Sequence, residues 1–249
     1  MKALIIIPTY NRSGLILNAI NSIISQDHKN WHLVISDDCS TDDTYEKIKP
    51  IIETNDKISY IKNKENLGTY RTQNAALKFA LENIDGWEIF TNFGSDDFCK
   101  SSYLSFNLNL FDDPKIISVS PCISRVPHVD FDFKFPVHKG YYCQWPCGLY
   151  FYKRKVFDLI GYFDDTRYSG DSEYNARLAK YIQLAGLDLW SGKKGPTNGR
   201  LYFALDHPNR LGRAEATHLQ SSARNHYRSK YNQKLHHTKD KGELNYPYC

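Results

Sequence analysis

The feature that most constrains this chain is the alternation, through its first half, of short β-branched apolar runs with helical repeats. Residues 3–7 form an apolar run, and Ile16, Ile20, Ile23 and Ile24 then recur at helical spacing behind the capping candidates Asn11 and Ser13. Residues 31–36 predict a second strand, followed by a helix capped by Thr41 and carrying Tyr45, Ile48, Ile51 and Ile52. Residues 58–61 predict a third strand, 72–81 a helix, 87–93 a fourth strand and 116–123 a fifth. Strands separated by helices of this length pair in parallel through right-handed crossovers. The expectation is an α/β fold: an open, mostly parallel, Rossmann-like sheet with helices on both faces. Ligands of such sheets sit at the carboxyl ends of the strands. Those ends carry Pro8-Thr9-Tyr10-Asn11, Ser36-Asp37-Asp38-Cys39-Ser40 and Gly94-Ser95-Asp96-Asp97.

The second half loses the alternation. Aromatic and proline-rich stretches near 127–146 predict irregular or short antiparallel structure, followed by helices near 153–160 and 171–184. We divide the chain into one domain over 1–212, with a nucleotide-binding half at 1–121 and an acceptor-binding half at 122–212, and a basic, helical C-terminal extension over 213–249. The extension carries Arg213, His218, Arg224, His226, Arg228, Lys230, Lys234, His236, His237, Lys239 and Lys241 against Glu215, Asp240 and Glu243. It reads either as a solvated helical face with a frayed end, or as a contact for a phosphate-bearing ligand or an acidic membrane surface.

Composition excludes several classes. With 41% hydrophobic and 24% charged residues the chain is neither disordered nor fibrous. Its net charge of +4 is too small for a dedicated nucleic-acid binder. No apolar run approaches the roughly 18 residues of a membrane span, and Pro8 interrupts the opening run too early for a signal peptide. A cytoplasmic protein is expected. The six cysteines lack paired zinc spacing; Cys143 and Cys147, four apart, are read as buried or free thiols rather than a metal or disulfide pair. Neither a G-x-G-x-x-G nor a P-loop motif follows the first strand.

Carboxylates at strand ends suit a hard divalent cation, which needs only one or two of them when diphosphate oxygens complete its shell. Asp96 and Asp97 fit that role, or cap a helix over 100–106. The wider constellation resembles the family 2 glycosyltransferases. It comprises Pro8-Thr9-Tyr10-Asn11-Arg12, Asp37-Asp38-Cys39-Ser40-Thr41-Asp42, Asn66-Leu67-Gly68 ahead of Asn74, Ser95-Asp96-Asp97, Gly161-Tyr162-Phe163-Asp164-Asp165, Gly170-Asp171-Ser172-Glu173 with Arg177-Leu178, and His207-Pro208-Asn209.

The resemblance implies the GT-A fold and an inverting, metal-assisted transfer from a nucleotide-sugar, a UDP-sugar first, to a hydroxyl of a glycan or glycoconjugate. It implies that Pro8, Thr9 and Tyr10 line the base pocket with Arg12 nearby, that Asp38 accepts a hydrogen bond from the base, and that Gly68 allows close approach of the nucleotide. Arg71, Asn74 and Ser95 join that nucleotide set. Asp96 and Asp97, with His207, are the implied ligands of Mn²⁺ or Mg²⁺, one of the two acids holding the metal and the other ribose or metal-bound water. Gly94 stands where the family has its first metal-motif carboxylate. Asp171 aligns with the catalytic base, and also suits a helix N-cap. Glu173 and Trp145 fall where the family binds sugar or acceptor; Trp145 equally suits a core position. The alternative is a catalytically degenerate relative that binds nucleotide or glycan without turnover.

Overall fold

The computed structural model describes residues 1–127, 143–144, 149–194, 201–206 and 221–248. The first half runs β1 (Ala3–Thr9), α1 (Ile16–Ile24), β2 (Trp31–Asp37), α2 (Thr44–Thr54), β3 (Ile58–Lys62), α3 (Thr69–Asn83) and β4 (Ile89–Asn92). Beyond it lie β5 (Phe98–Cys99), α4 (Tyr103–Asn109), β6 (Ser118–Ser120), β7 (Ile123–Pro127), β8 (Cys143–Gln144), β9 (Phe151–Lys153), α5 (Arg154–Ile160), α6 (Gly170–Ala185), β10 (Lys193–Lys194), β11 (Tyr202–Asp206) and α7 (Ser222–His237).

Among the described residues a seven-stranded sheet runs β10-β6-β9-β4-β1-β2-β3. The expected β-α steps hold: β1 pairs in parallel with β2 and β4, and β2 with β3. Only β9 runs antiparallel, between β4 and β6. A second sheet, β5-β11-β7-β8, was not foreseen beyond a short antiparallel element, which β7 and β8 supply.

Strand β1 shows why a run apolar at every position is needed: both its faces are covered. Ile5 and Ile7 pack with Ile16, Ile20 and Ile23 of α1, while Leu4 and Ile6 pack with Ala76, Leu77 and Ala80 of α3. Each side chain so removed from water contributes about 1.5–3 kcal/mol.

Two expectations change. The helix expected over 100–106 begins only at Tyr103, and β5 intervenes, so Asp96 and Asp97 do not cap it. The C-terminal extension is no frayed end: Tyr231 and Leu235 of α7 and Leu244 form a buried cluster against α6. The chain beyond α7 is tied down as well, Tyr246 donating its N–H to the Ile160 carbonyl and accepting from the Tyr162 N–H. Cys39 and Cys99 are free thiols, and Cys122 is in a disulfide whose other half is not among the described side chains; the side chains of Cys143 and Cys147, read as thiols, lie outside the description. Trp145, Cys147, His207, Arg213 and His218 lie outside the described residues. Among the described residues no helix is long and apolar enough to cross a membrane.

Candidate functional site

The turns leaving β1 and β2 are laced together by short polar side chains. Asn11 Oδ1 accepts from Thr41 N–H at 2.9 Å, its own N–H donates to Ser40 Oγ at 2.9 Å, and Arg12 N–H donates to Thr44 Oγ1 at 3.0 Å. Asn11 and Cys39 both adopt left-handed backbone, φ 50° and 68°, a conformation that Asn tolerates and Cys adopts only when its surroundings impose it. Below them Asp37 is fully buried, accepting from Ser40 N–H at 2.7 Å and from Tyr60 O–H at 2.6 Å.

This rigid edge opens on a cavity of about 260 Å³ lined by Pro8, Thr9, Tyr10, Arg12, Asp38, Asn66, Gly68, Thr69, Thr72, Ser95 and Arg167. Seven of the ten residues expected to bind nucleotide therefore converge on one cleft: Pro8, Thr9, Tyr10, Arg12, Asp38, Gly68 and Ser95. Asp38 does more than was expected of it. Oδ1 accepts from Leu67 N–H at 2.7 Å and Asn63 Nδ2 at 3.0 Å, and Oδ2 from Gly68 N–H at 2.9 Å. The carboxylate thus holds the 66–68 loop in place and keeps acceptor capacity on Oδ2. Gly68 has φ 83°, and a Cβ there would lie 3.2 Å from Arg167 Cγ, so both backbone and space favour glycine.

Two expected nucleotide ligands face elsewhere. Asn74 is buried, its Nδ2 donating to the Phe163 carbonyl at 2.9 Å and its Oδ1 accepting from Phe163 N–H at 3.0 Å; both ends of the amide are consumed in fixing the 161–170 loop to α3. Arg71 points to Asp165, 3.7 Å away in an exposed ion pair.

Asp96 and Asp97 separate sharply. Asp97 turns inward, Oδ2 accepting from Tyr202 O–H at 2.6 Å and Oδ1 from Leu205 N–H at 3.1 Å. Burial, and secondarily the charge of Asp96, push its carboxyl well above the usual range. A Cβ at position 94 would lie 2.2 Å from Asp97 Oδ2, so Gly94 makes room for this inward acid. Of the two acids expected to divide metal and ribose between them, Asp97 is hydrogen-bonded to Tyr202 and Leu205, and Asp96 lies beside Arg12. Asp96 stays at the rim of the cleft, its Oδ2 3.7 Å from Arg12 Nε. One carboxylate together with a diphosphate is a sufficient donor set for Mn²⁺ or Mg²⁺, so Asp96 fits a cation. Among the described residues no group of three or more His, Cys, Asp or Glu side chains could hold one unaided.

Asp171 lies in the first turn of α6, four residues after the cavity-lining Arg167. Its Oδ1 accepts from Tyr70 O–H at 2.7 Å, and Tyr70 follows the cavity-lining Thr69. Burial, and then the Asp171 charge, hold the Tyr70 phenol well above its ordinary value, so it remains a donor. Glu173, expected at the acceptor, is instead fully buried and paired with Arg177, Nε to Oε1 at 2.8 Å and Nη2 to Oε2 at 3.1 Å. Burial raises its carboxyl while Arg177 opposes the rise. Arg177 also donates to the carbonyls of Ile160, Tyr162 and Leu244 and lies 3.7 Å from the Tyr246 ring centre. The pair is a strut for the C-terminal segment.

Sequence reasoning missed Tyr70, Thr69, Thr72, Arg167 and Tyr202. Thr69 and Tyr70 directly follow the Asn66-Leu67-Gly68 motif and were within reach of it; Tyr202, 105 positions from Asp97, carried no local signal.

Comparison with known proteins places this architecture. S. aureus TarS in complex with UDP superposes with a TM-score of 0.62 at 19% identity, over 84% of this chain and 61% of that one. Mannosyltransferase PcManGT from Pyrobaculum calidifontis, in complex with GDP-Man and Mn²⁺, gives 0.61 at 21% identity, over 85% and 58%. The fold shared with these glycosyltransferases is GT-A. In sequence, glycosyltransferase GlyA of Streptococcus pneumoniae is 34% identical over 211 residues, 81% of this chain and 28% of that protein. The UDP-Glc:alpha-D-GlcNAc-diphosphoundecaprenol beta-1,3-glucosyltransferase WfaP of Escherichia coli is 29% identical over 134 residues, 51% and 53% of the two chains. The putative colanic acid biosynthesis glycosyl transferase WcaA of Escherichia coli K12 is 40% identical over 78 residues, 30% and 27%. The chain thus spans about a quarter to a half of these curated relatives. The profile of glycosyl transferase family 2 matches residues 4–168, which takes in β1 to β4, the cleft they open on and the loop leading to Asp171, and the chain belongs to that family.

Proposed function

We propose that this chain transfers a sugar, with inversion, from a UDP-sugar to a hydroxyl of a glycan or glycoconjugate, with Asp171 as general base. The observation that carries this is one cleft whose lining residue Arg12 lies 3.7 Å from Asp96, and whose lining residue Thr69 leads into Tyr70, the hydroxyl of which donates to Asp171 at 2.7 Å. Residues 1–121 supply the donor half and 122–212 the acceptor half. WfaP, named for UDP-glucose, and TarS, solved with UDP, support UDP as the first nucleotide to test.

In the reaction, Thr9, Asp38 and Gly68 hold the nucleoside while Ser95 and Arg12 face the diphosphate. Inversion needs attack from the side opposite the leaving group. The acceptor oxygen forms its bond to the anomeric carbon as the carbon–phosphate-oxygen bond breaks, and the bonding pair leaves with UDP. The acceptor proton passes to Asp171 Oδ2, the oxygen not engaged by Tyr70. Asp96 would hold a divalent cation, which when bound would supply charge neutralisation to the departing diphosphate.

Against a catalytically degenerate binder, the reading is supported by Asp171 with its Oδ1 held by the Tyr70 hydroxyl at 2.7 Å. The test is thermal stability with UDP, GDP, TDP and CMP, each with Mn²⁺ or with chelator. A hundredfold excess over Kd stabilises by about 2.7 kcal/mol, a clear shift. A shift with UDP that needs Mn²⁺ is expected; no shift with any nucleotide would overturn the proposal.

A further inference from the structure

We infer that Tyr70 is a positioning residue for the base: its hydroxyl fixes Asp171 Oδ1 so that Oδ2 is left to take the acceptor proton. The inference rests on Asp171 acting as that base.

Three independent features build the contact. The hydroxyl lies 2.7 Å from Asp171 Oδ1 across 101 positions of chain. The Tyr70 ring occupies the room beside Gly170, where a Cβ would lie 2.7 Å from ring carbon Cγ; glycine just ahead of Asp171 is what admits the ring. The other side of the ring meets Phe163, centroids 6.0 Å apart, and Phe163 is itself fixed by the buried Asn74 amide. Asn74, expected at the nucleotide, is thus part of this assembly.

The placement also links the two halves of the site. Tyr70 lies in the first turn of α3, between Thr69 and Thr72, which line the donor cleft. A donor seated against that turn bears on the same backbone that aims the base. Other groups near Asp171 act around this contact rather than in place of it. Asn175 of α6 donates to the Asp171 carbonyl at 2.7 Å and to Tyr152 O–H of β9 at 2.8 Å, and the charges of Asp171 and of Arg224 on α7 reach Tyr152 and Tyr70 respectively. A hydrogen bond donated to a carboxylate favours its ionised form, the form a base requires.

The experiment compares wild type, Tyr70→Phe, Gly170→Ala and Asp171→Asn for UDP affinity and for UDP release from UDP-hexoses. Tyr70→Phe keeps the ring and is expected to bind UDP as wild type does. Its kcat should fall about tenfold, while KM for the UDP-hexose stays within about twofold. Gly170→Ala, which displaces the ring with its hydroxyl intact, should show the same fall in kcat. Unchanged kcat in Tyr70→Phe, or a raised KM with kcat unchanged, would overturn the inference while leaving the base assignment standing if Asp171→Asn is inactive. Wild-type turnover in Asp171→Asn would overturn the base assignment and the inference together.

Discussion

Two places in this chain set a pair of acids at the edge of the cleft, and each divides its pair the same way by different means. At the end of β4, Asp97 is drawn inward by neutral donors, the Tyr202 hydroxyl and the Leu205 N–H, while Asp96 stays at the rim. In the first turn of α6, Glu173 is drawn inward by a guanidinium, Arg177, while Asp171 stays with Tyr70 at the cleft. The inward acids differ in consequence. Burial raises both carboxyls; Tyr202 and Leu205 oppose the rise at Asp97, whereas at Glu173 Arg177 opposes it and also locks a helix to the C-terminal segment. In both pairs the second acid lies beside a residue of the cleft or its neighbour, Asp96 by Arg12 and Asp171 by Tyr70.

The comparison breaks most visibly at the ion pair. Arg177→Met leaves Glu173 buried and unpaired and removes the ties to Ile160, Tyr162 and Leu244. A stability loss of about 3–5 kcal/mol is expected in denaturant unfolding. A loss under about 1 kcal/mol would mean the pair is not the strut described. At the other pair the prediction concerns pH. A native carboxyl raised above its unfolded value keeps its proton where the unfolded chain has lost it. Stability is therefore fully present below the unfolded value near 3.9 and declines as pH rises from there through the raised native value. Asp97→Asn should flatten that decline; an unchanged slope would place the titration elsewhere. The smallest effect sharpens the boundary of the cleft. Arg71→Ala breaks only an exposed pair with Asp165 and should cost no more than about 1 kcal/mol, with UDP affinity, read by calorimetry, unaltered.

The legible part of this protein is the part built from neighbours in sequence. The Ile-rich β1, the helical repeat of α1 and the polar turns closing β1 and β2 declare themselves locally, and the cleft follows from them because parallel strands bring their carboxyl ends to one edge. Arg177, four residues beyond Glu173 on the same helix, was within local reach. Asn74 had the right residue type at a family position, yet the partner that claims it, Phe163, 89 positions away, shows only in three dimensions. The same holds for β9. Three residues carry no sign that they will insert antiparallel between β4 and β6. Polar side chains are assigned by whichever donor or acceptor folding brings to them, and across about a hundred positions periodicity says nothing of that.

The most direct test of the account is a paired measurement on Asp171→Asn: UDP binding by calorimetry, and UDP release from UDP-glucose and UDP-N-acetylglucosamine with added sugar acceptors. Binding within about twofold of wild type, with turnover lower by roughly 10²–10⁴-fold, is the expected result, since the amide keeps the shape but cannot take the acceptor proton. Turnover equal to wild type would contradict it, and would move the base to another residue of the cleft.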